Sequence, residues 1–154
     1  YDEDGDFEQG TSIHWFRDGL RVTQIDDLMD IPNSWISKDQ SWRVEVTPND
    51  GNEFGEMVSL DPISIGNTAP IARDLSIGPE SPMDDDDLIL NWEYYDLDGD
   101  PQDDQQTTIY WFLDGSRVPE LDGEQTVSSL MIRSGDEWEV SIAPHDSSDF
   151  GLTV

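Results

Sequence analysis

Closely spaced carboxylates are the residues of this sequence with the clearest capacity for chemistry. The pattern Asp-x-Asp-Gly-Asp occurs twice, and each copy places alternating acidic side chains in a short segment that contains glycine. Ca²⁺ takes roughly six to eight oxygen ligands in proteins, with carboxylates prominent among them. The pattern therefore predicts calcium sites, and its acidic positions are Asp2, Asp4, Asp6, Asp96, Asp98 and Asp100.

The spacing is similar to the opening of an EF-hand loop, but two of the residues that such a loop requires are missing. The sixth position requires glycine and holds Phe7 or Pro101, and the twelfth requires glutamate and holds Ile13 or Thr107. A true EF-hand is therefore excluded. A calcium site of another kind and a simple turn both stay open, because Asp and Gly also favour turns.

Residues for nucleophilic or acid–base catalysis do not form a recognisable set. His14 and His145 are the only histidines, and there is no cysteine. No Ser/His/Asp order, zinc-ligand spacing or phosphate-binding glycine loop occurs. Acidic pairs are too abundant to identify a glycosidase. We therefore expect that the chain is not an enzyme.

The charge balance excludes two classes of partner. Thirty-six Asp and Glu residues oppose seven Lys and Arg residues, which gives a net charge of −29. A field of this sign repels nucleic acid and anionic membrane surfaces. No apolar run is long enough to cross a membrane, so membrane insertion is not expected. The acidity also favours solubility, including solubility in a salty medium.

An internal repeat defines the elements that hold these carboxylates. The segment 11–22 recurs at 107–118 with eight of twelve positions identical. The segment 41–50 recurs at 137–146 with the same offset of 96 residues. Matching order and matching spacing predict two copies of one structural unit.

Apolar residues within each copy alternate with a period of two, which predicts half-buried strands. Asp18-Gly19 and Asp114-Gly115 are typical of tight hairpins between such strands. Frequent prolines oppose long helices, so the chain is predicted to be all-β, with about seven short strands per β-sandwich. In the second copy, the predicted strands A, B, C, C′, E, F and G are 71–77, 88–95, 107–112, 116–118, 127–133, 137–143 and 150–154.

The third strand, with its Trp followed by x-x-Asp-Gly, resembles strand C of immunoglobulin-like domains. The strings Trp-x-Val-x-Val-x-Pro-x-Asp, Phe-Gly and Asn-Thr-Ala-Pro are similar to tandem immunoglobulin-like or cadherin-like repeats of large archaeal and bacterial surface and secreted proteins. The resemblance covers essentially the whole chain. The chain differs from antibody domains in lacking their two core cysteines. It implies an extracellular or cell-surface location and a structural role in an adhesin, stalk or filament. The implied partners are neighbouring repeats or copies of the same protein.

We place the repeat boundary near the small-residue segment 65–70, which gives one repeat at 1–66 and another at 67–154. The first repeat begins at the corner between strands B and C, so it lacks strands A and B. Two explanations stay open. The chain is an excerpt of a longer array, or another chain supplies the missing strands by complementation at an open sheet edge.

The implied topology brings the loop between strands B and C to the same end of the sandwich as the loop between F and G. In the second repeat, Asp96, Asp98 and Asp100 are then expected near Asp146, with the linker around Asn67 approaching them. In the first repeat, the equivalent residues are Asp2, Asp4, Asp6 and Asp50. The resulting hypothesis is that Ca²⁺ stiffens the array at the junction between repeats.

Trp35 motivates the alternative functions. It lies in the segment where the two copies differ most, and an exposed aromatic ring there could stack on a glycan or a protein partner. The alternatives are therefore a carbohydrate-binding or protein-binding adhesive module, or an accessory domain of a secreted enzyme.

Overall fold

The computed structural model describes residues 7–83 and 85–154. These residues form eleven short strands and four 3₁₀ helices, and no α-helix occurs among them. The prediction of an all-β chain is therefore confirmed. No helix within the same two ranges is long and apolar enough to span a membrane. The chain divides into two compact units, Tyr1–Gly66 and Asn67–Val154.

The first unit is built on a five-stranded antiparallel sheet. Its strands are β1 (Ser12–Arg17), β2 (Leu20–Arg21), β3 (Ser41–Thr47), β4 (Val58–Ser59) and β5 (Ile63–Ser64), and its 3₁₀ helices are Thr23–Ile25 and Asn33–Trp35. The order is β2-β1-β3-β4, and β5 also pairs with β3. Ile13 lies opposite Val46, and Trp15 lies opposite Val44, so apolar side chains share one face of the sheet. The buried core consists of Val22, Ile25 and Trp42.

The second unit contains two three-stranded sheets. Its strands are β6 (Ile71–Gly78), β7 (Leu88–Tyr95), β8 (Thr108–Leu113), β9 (Ser116–Arg117), β10 (Thr126–Val127) and β11 (Trp138–Ala143), and its 3₁₀ helices are Pro119–Leu121 and Ser129–Met131. One sheet has the order β10-β7-β6 and the other β11-β8-β9. Beside β11, Ile142 and Val154 exchange two backbone hydrogen bonds of 2.8 and 3.0 Å. The predicted last strand is therefore represented by this pairing and by an isolated bridge at Phe150.

Strands of both sheets supply the core of the second unit. Trp111 of β8 is fully buried, and its indole N–H donates to the Glu124 carbonyl at 2.9 Å. Truncating a buried Trp to alanine costs about 3–5 kcal/mol, so this side chain is a main source of stability. The buried cluster consists of Leu88, Leu90, Ile109, Trp111, Leu121, Val127 and Ile142.

Hydrogen bonds at the two hairpins recur at positions 96 residues apart. Asp18 has a φ of 52°, and its Oδ1 accepts the N–H of Ser41 at 2.8 Å. Asp114 has a φ of 50°, and its Oδ1 accepts the N–H of Glu137 at 3.1 Å. The hairpin role predicted for both aspartates is confirmed, since each one lies in its turn and ties it to the start of an adjacent strand.

One tryptophan of the second unit lacks the hydrogen bond of its counterpart in the first. The indole N–H of Trp42 donates to the Gln40 side chain at 3.0 Å. The indole nitrogen of Trp138 is buried and has no acceptor. Asp136 stands 96 residues beyond Gln40, and its carboxylate accepts the N–H of Arg133, as Gln40 accepts that of Ser37, but it does not accept the indole N–H. The shorter side chain therefore leaves a buried donor unpaired.

The segment predicted as strand E, 127–133, differs from the prediction. Pairing there is limited to β10, and the chain then turns into the 3₁₀ helix Ser129–Met131. Asp87 accepts the first N–H of that helix at 2.7 Å, and Leu130 is left 94% exposed. The apolar alternation did not reveal this turn because the competing acceptor lies far away in the sequence.

Glycine is required where the end of the second unit passes close to its beginning. The Gly151 N–H donates to the Pro144 carbonyl at 2.8 Å. A side chain on Gly151 would overlap the carbonyl oxygen of Pro70. At the equivalent Gly55, a methyl group would lie 2.9 Å from the side chain of Pro48 and 3.7 Å from its carbonyl oxygen. A methyl group is therefore tolerated worse at Gly151.

Candidate metal centre

The first loop of the site follows β7 directly. Asp96 Oδ1 accepts the backbone N–H groups of Asp98 at 2.8 Å and Asp100 at 3.1 Å. Gly99 adopts a φ of 82°, which glycine tolerates without strain. These bonds curl the loop around one oxygen of Asp96. The other oxygen, Oδ2, is buried and has no hydrogen-bond donor.

The second loop follows β11. Asp146 Oδ1 accepts the N–H groups of Ser148 and Asp149, each at 2.7 Å. Just before it, His145 is 5% exposed, and its Nδ1 accepts the N–H of Ser147 at 2.9 Å. The imidazole thus helps to shape the loop, and its ring centroid lies 4.3 Å from that of Phe150, with the two rings steeply inclined to each other.

Three carboxylates from these two loops come together. Asp96, Asp100 and Asp146 each offer one oxygen, and these oxygens lie within 4.8 Å of one another. Within residues 7–83 and 85–154, this is the one set of three acidic or histidine side chains with that spacing. Asp146 is only 3% exposed, and the other two are half-buried. The site therefore concentrates negative charge where water screens it incompletely.

The first residues of the second unit contact both loops. Asn67 Nδ2 donates to Asp146 Oδ2 at 2.8 Å and to Asp149 Oδ2 at 2.9 Å. The Asn67 Oδ1 atom is buried and has no donor. The Thr68 N–H donates to Asp98 Oδ2 at 2.7 Å. The approach of Asn67 expected from the sequence is therefore seen within this unit.

The negative potential of the site is reflected in a neighbouring tyrosine. The Tyr94 hydroxyl donates to the Asp100 carbonyl at 3.1 Å. Burial raises the pKa of Tyr94, and the charges of Asp96, Asp146 and Asp100 raise this pKa further. A bound cation would act in the opposite direction.

The remaining predicted site residues have different surroundings. Asp98 Oδ2 accepts the N–H of Thr68, and Asp98 does not belong to the group of three. Asp50 Oδ1 accepts the N–H groups of Asn52 and Glu53 at 2.7 Å, as Asp146 does for its own loop. Three further predicted ligands lie outside the described residues, namely Asp2, Asp4 and Asp6.

The prediction that Trp35 is an exposed partner contact differs from the structure. Its side chain is half-buried and packs against the core of the first unit, formed by Val22, Ile25 and Trp42. The Trp35 ring is therefore part of the core of the first unit. Nothing in its position favours stacking on a glycan.

Asp103 is a residue that the sequence reasoning missed. Its Oδ1 accepts the N–H groups of Gln105 at 3.0 Å and Gln106 at 3.2 Å, and its Oδ2 accepts the Ser147 hydroxyl at 3.1 Å. Hydrogen bonding, first from the Gln106 side chain, lowers the pKa of Asp103. Asp103 thereby links the two loops of the site. An aspartate two residues after Pro101 was a turn signal that could have identified it.

The donor set suits a hard cation. The available atoms are carboxylate and amide oxygens, which favour Ca²⁺ or Mg²⁺, whereas Zn²⁺ favours nitrogen and sulfur. Irregular loops and mixed ligands suit the flexible coordination of Ca²⁺ better than the strict octahedron of Mg²⁺.

The chain matches no protein-family model and no curated protein. Function is therefore inferred from the strand arrangement and from the chemistry of the site.

Proposed function

We propose that this chain is a pair of immunoglobulin-like repeat units from an extracellular structural protein such as an adhesin, stalk or filament. In this proposal the second unit binds Ca²⁺ through Asp96, Asp100 and Asp146. The observation that carries the proposal is the buried Asp96 Oδ2, which has no donor although it belongs to a group of three carboxylates.

The strand arrangement supports the immunoglobulin-like assignment. The sheet β10-β7-β6 corresponds to strands E, B and A, and the sheet β11-β8-β9 to strands F, C and C′. The buried Trp111 lies on the third long strand, where immunoglobulin-like domains carry their core tryptophan. Hairpin and loop hydrogen bonds at equivalent positions of both units support a repeated domain.

Electrostatics supports the cation. A buried carboxylate oxygen without a donor is costly because it has lost water and gained nothing in exchange. Two neighbouring carboxylates add repulsion. A simple turn explains only Asp96 Oδ1 and Asp146 Oδ1, which accept backbone N–H groups. Ca²⁺ would offset the negative charge that these backbone N–H groups do not compensate.

The position of Asn67 and Thr68 connects the ion to a structural role. Both residues follow the boundary at Gly66 and are tied to the acidic loops. Ca²⁺ bound there would hold these loops and thereby the first residues of the unit. In an array of repeats, where each unit mainly contacts its neighbours, such fixation stiffens the chain.

Calcium binding to the full chain, measured by calorimetry after removal of metal with chelator, tests the proposal. Ca²⁺ should bind, and Mg²⁺ should bind more weakly. Asp96→Asn removes the unpaired charge and should weaken calcium binding about tenfold or more. Asp114→Asn is the matched control. It removes the same charge at a hairpin turn outside the group of three, and asparagine tolerates the positive φ of this position.

An Asp96→Asn affinity equal to that of Asp114→Asn would refute the assignment of the site. No calcium binding by the native chain would mean that the Asp-Gly-Asp loops serve only as turns. The remaining acidity would then serve solubility.

A further inference from the structure

The edge of β11 that faces away from β8 is only partly paired in the second unit. On this edge, Ile142 exchanges two backbone hydrogen bonds with Val154. Backbone groups alternate in direction along a strand, so those of Trp138 and Val140 point to the same edge. Within residues 7–83 and 85–154, no strand pairs with these two residues there. Such an edge is a template for another strand.

The first unit shows which kind of segment pairs with the equivalent edge. The equivalent strand, β3, pairs with β1 on one edge and with β4 and β5 on the other. Trp42 of β3 stands 96 residues before Trp138 and lies opposite Ile63 of β5. The segment that follows β4 therefore covers in the first unit the edge that is open in the second.

Ile65, which follows β5 directly, holds the end of that segment in place. Its N–H donates to the Gln40 carbonyl at 2.8 Å, and its carbonyl accepts the N–H of Asp39 at 3.0 Å. Its side chain is half-buried and packs against the core cluster of the first unit. Gly135 and Asp136 stand 96 residues beyond Asp39 and Gln40. An isoleucine that made the same two backbone bonds in the second unit would lie beside them.

A cleft of about 390 Å³ lies at that place in the second unit, and Gly135, Asp136 and Trp138 line it. Its volume is in the range that holds a small ligand, roughly 300–1,000 Å³, so an isoleucine residue has room there. Further apolar side chains line the cleft, namely Ile77, Leu88 and Ile132. Ile77, Ile132 and Trp138 are only half-buried, which leaves apolar surface for an incoming side chain.

We propose that the open edge of β11 and this cleft form a docking surface for the closing strand of another repeat of this type. The occupant is an extended segment with the pattern Ile-x-Ile, which is the chemistry of residues 63–65. It would run antiparallel to β11 and place its second isoleucine in the cleft. Main-chain hydrogen bonds supply affinity in this mode of binding, and the side-chain pocket supplies specificity. The proposal rests on the equivalence of the two units in the proposed function and does not depend on calcium.

The test titrates the full chain, isotope-labelled for NMR, with an unlabelled peptide of the sequence 59–66 in chelator. The peptide begins one residue beyond the equivalent of Val154, so it leaves the bonds between Val154 and Ile142 in place. It should shift the backbone N–H signals of Gly135, Trp138 and Val140, together with the indole N–H signal of Trp138.

Two altered peptides form a matched pair on the native chain. The peptide with Ile65→Ser should bind about tenfold more weakly or worse, because it loses the burial of an isoleucine side chain. The peptide with Ser64→Ala changes a side chain that is exposed in the first unit and should bind as the unaltered peptide does.

Val140→Pro tests the edge from the side of the chain. Proline is tolerated where the N–H of an edge strand faces away from the sheet, so the pairing of β11 with β8 should persist. The lost N–H should weaken binding of the unaltered peptide about fivefold or more. A thermal melt establishes that this variant is folded, and the two altered peptides test the proposal independently of it.

Shifts confined to the first unit, equal binding of the Ile65→Ser and Ser64→Ala peptides, or no binding at all would overturn the proposal. Native affinity in a folded Val140→Pro variant would do the same. Dimerisation of the native chain through paired β11 edges, which the peptide does not dissolve, would also contradict it. Because the titration is made in chelator, its outcome is separate from that of the calcium measurement.

Discussion

Replacing Asp146 by asparagine separates the two roles that this carboxylate combines. As an acceptor it takes the N–H groups of Ser148 and Asp149 on Oδ1 and the NH₂ group of Asn67 on Oδ2. Its second role is its charge within the group of three. Asparagine keeps an oxygen that can close the turn but removes the charge. The variant therefore tests the charge while the loop can keep its shape.

The expected magnitude follows from the spacing of the carboxylates. Two charges at most 4.8 Å apart repel by at least about 1 kcal/mol in water and about 3.5 kcal/mol at an effective dielectric constant near 20. Asp146→Asn removes two such repulsions, with Asp96 and Asp100. It also weakens two hydrogen bonds by about 1 kcal/mol each, because a neutral acceptor is weaker than a charged one. The relieved repulsion totals about 2–7 kcal/mol, and the weakened hydrogen bonds, with the one from Asn67 included, cost about 3 kcal/mol. In chelator the variant should therefore be less stable than the native chain by no more than about 1 kcal/mol.

Asp146→Asn should reduce the stabilisation of the chain by calcium. At a free concentration about 100 times Kd, binding stabilises the native chain by about 2.7 kcal/mol, and Asp146→Asn should lose most of this gain. For a small domain this corresponds to a difference in Tm of about 10 °C or more. Asp103→Asn is the matched control, because Asp103 Oδ1 also accepts two backbone N–H groups but lies outside the group of three.

The assay is thermal unfolding in calcium and in chelator at fixed ionic strength. Asp103→Asn should be destabilised equally in both media and should keep the calcium response. Asp146→Asn should be at least about as stable as native in chelator and should lose most of the stabilisation by calcium. Equal destabilisation of Asp146→Asn in both media would refute the electrostatic reasoning, since only its role in the turn would remain.

Three further predictions concern the second unit. The close approach around Gly151 predicts that Gly151→Ala lowers the free energy of unfolding by about 2 kcal/mol or more, and Gly55→Ala by less, which urea titration would measure. Asp136→Gln should raise the free energy of unfolding by about 1 kcal/mol, because glutamine can accept the buried indole N–H of Trp138. A thermal melt tests this, and an unchanged Tm would contradict it. Calcium should lower the pKa of Tyr94 by offsetting the carboxylate charges; an alkaline absorbance titration against Tyr94→Phe tests this, and an unchanged pKa would place the ion elsewhere.

The long strands were predictable because period-two alternation coincides with burial on one face. The strand predicted at 88–95 agrees with β7 at Leu88–Tyr95, and the prediction at 137–143 differs from β11 by one residue. The segment after Val127 was not predictable, because its turn depends on the distant Asp87. Alternation reports which side chains could face a core, and it carries no information about acceptors from another loop.

The candidate site was predictable in its members and less so in its geometry. Alternating aspartates, combined with the implied topology, led to Asp96, Asp100 and Asp146. The separate role of Asp98 depends on the Thr68 N–H, which competes for its oxygen. For Trp35, the sequence could not show that this ring packs against the core of the first unit. Such choices between nearby partners are decided by packing, which a single sequence does not express.

The turn and the calcium site need not be alternatives, because they use different oxygens of the same side chains. Within residues 7–83 and 85–154, eight aspartates use Oδ1 to accept backbone N–H groups, so part of the acidity is structural. They are Asp18, Asp27, Asp50, Asp87, Asp96, Asp103, Asp114 and Asp146. In the group of three, Asp96 retains a buried Oδ2 that no backbone group satisfies. A turn requires the first oxygen only, and the second is the reason to expect a cation.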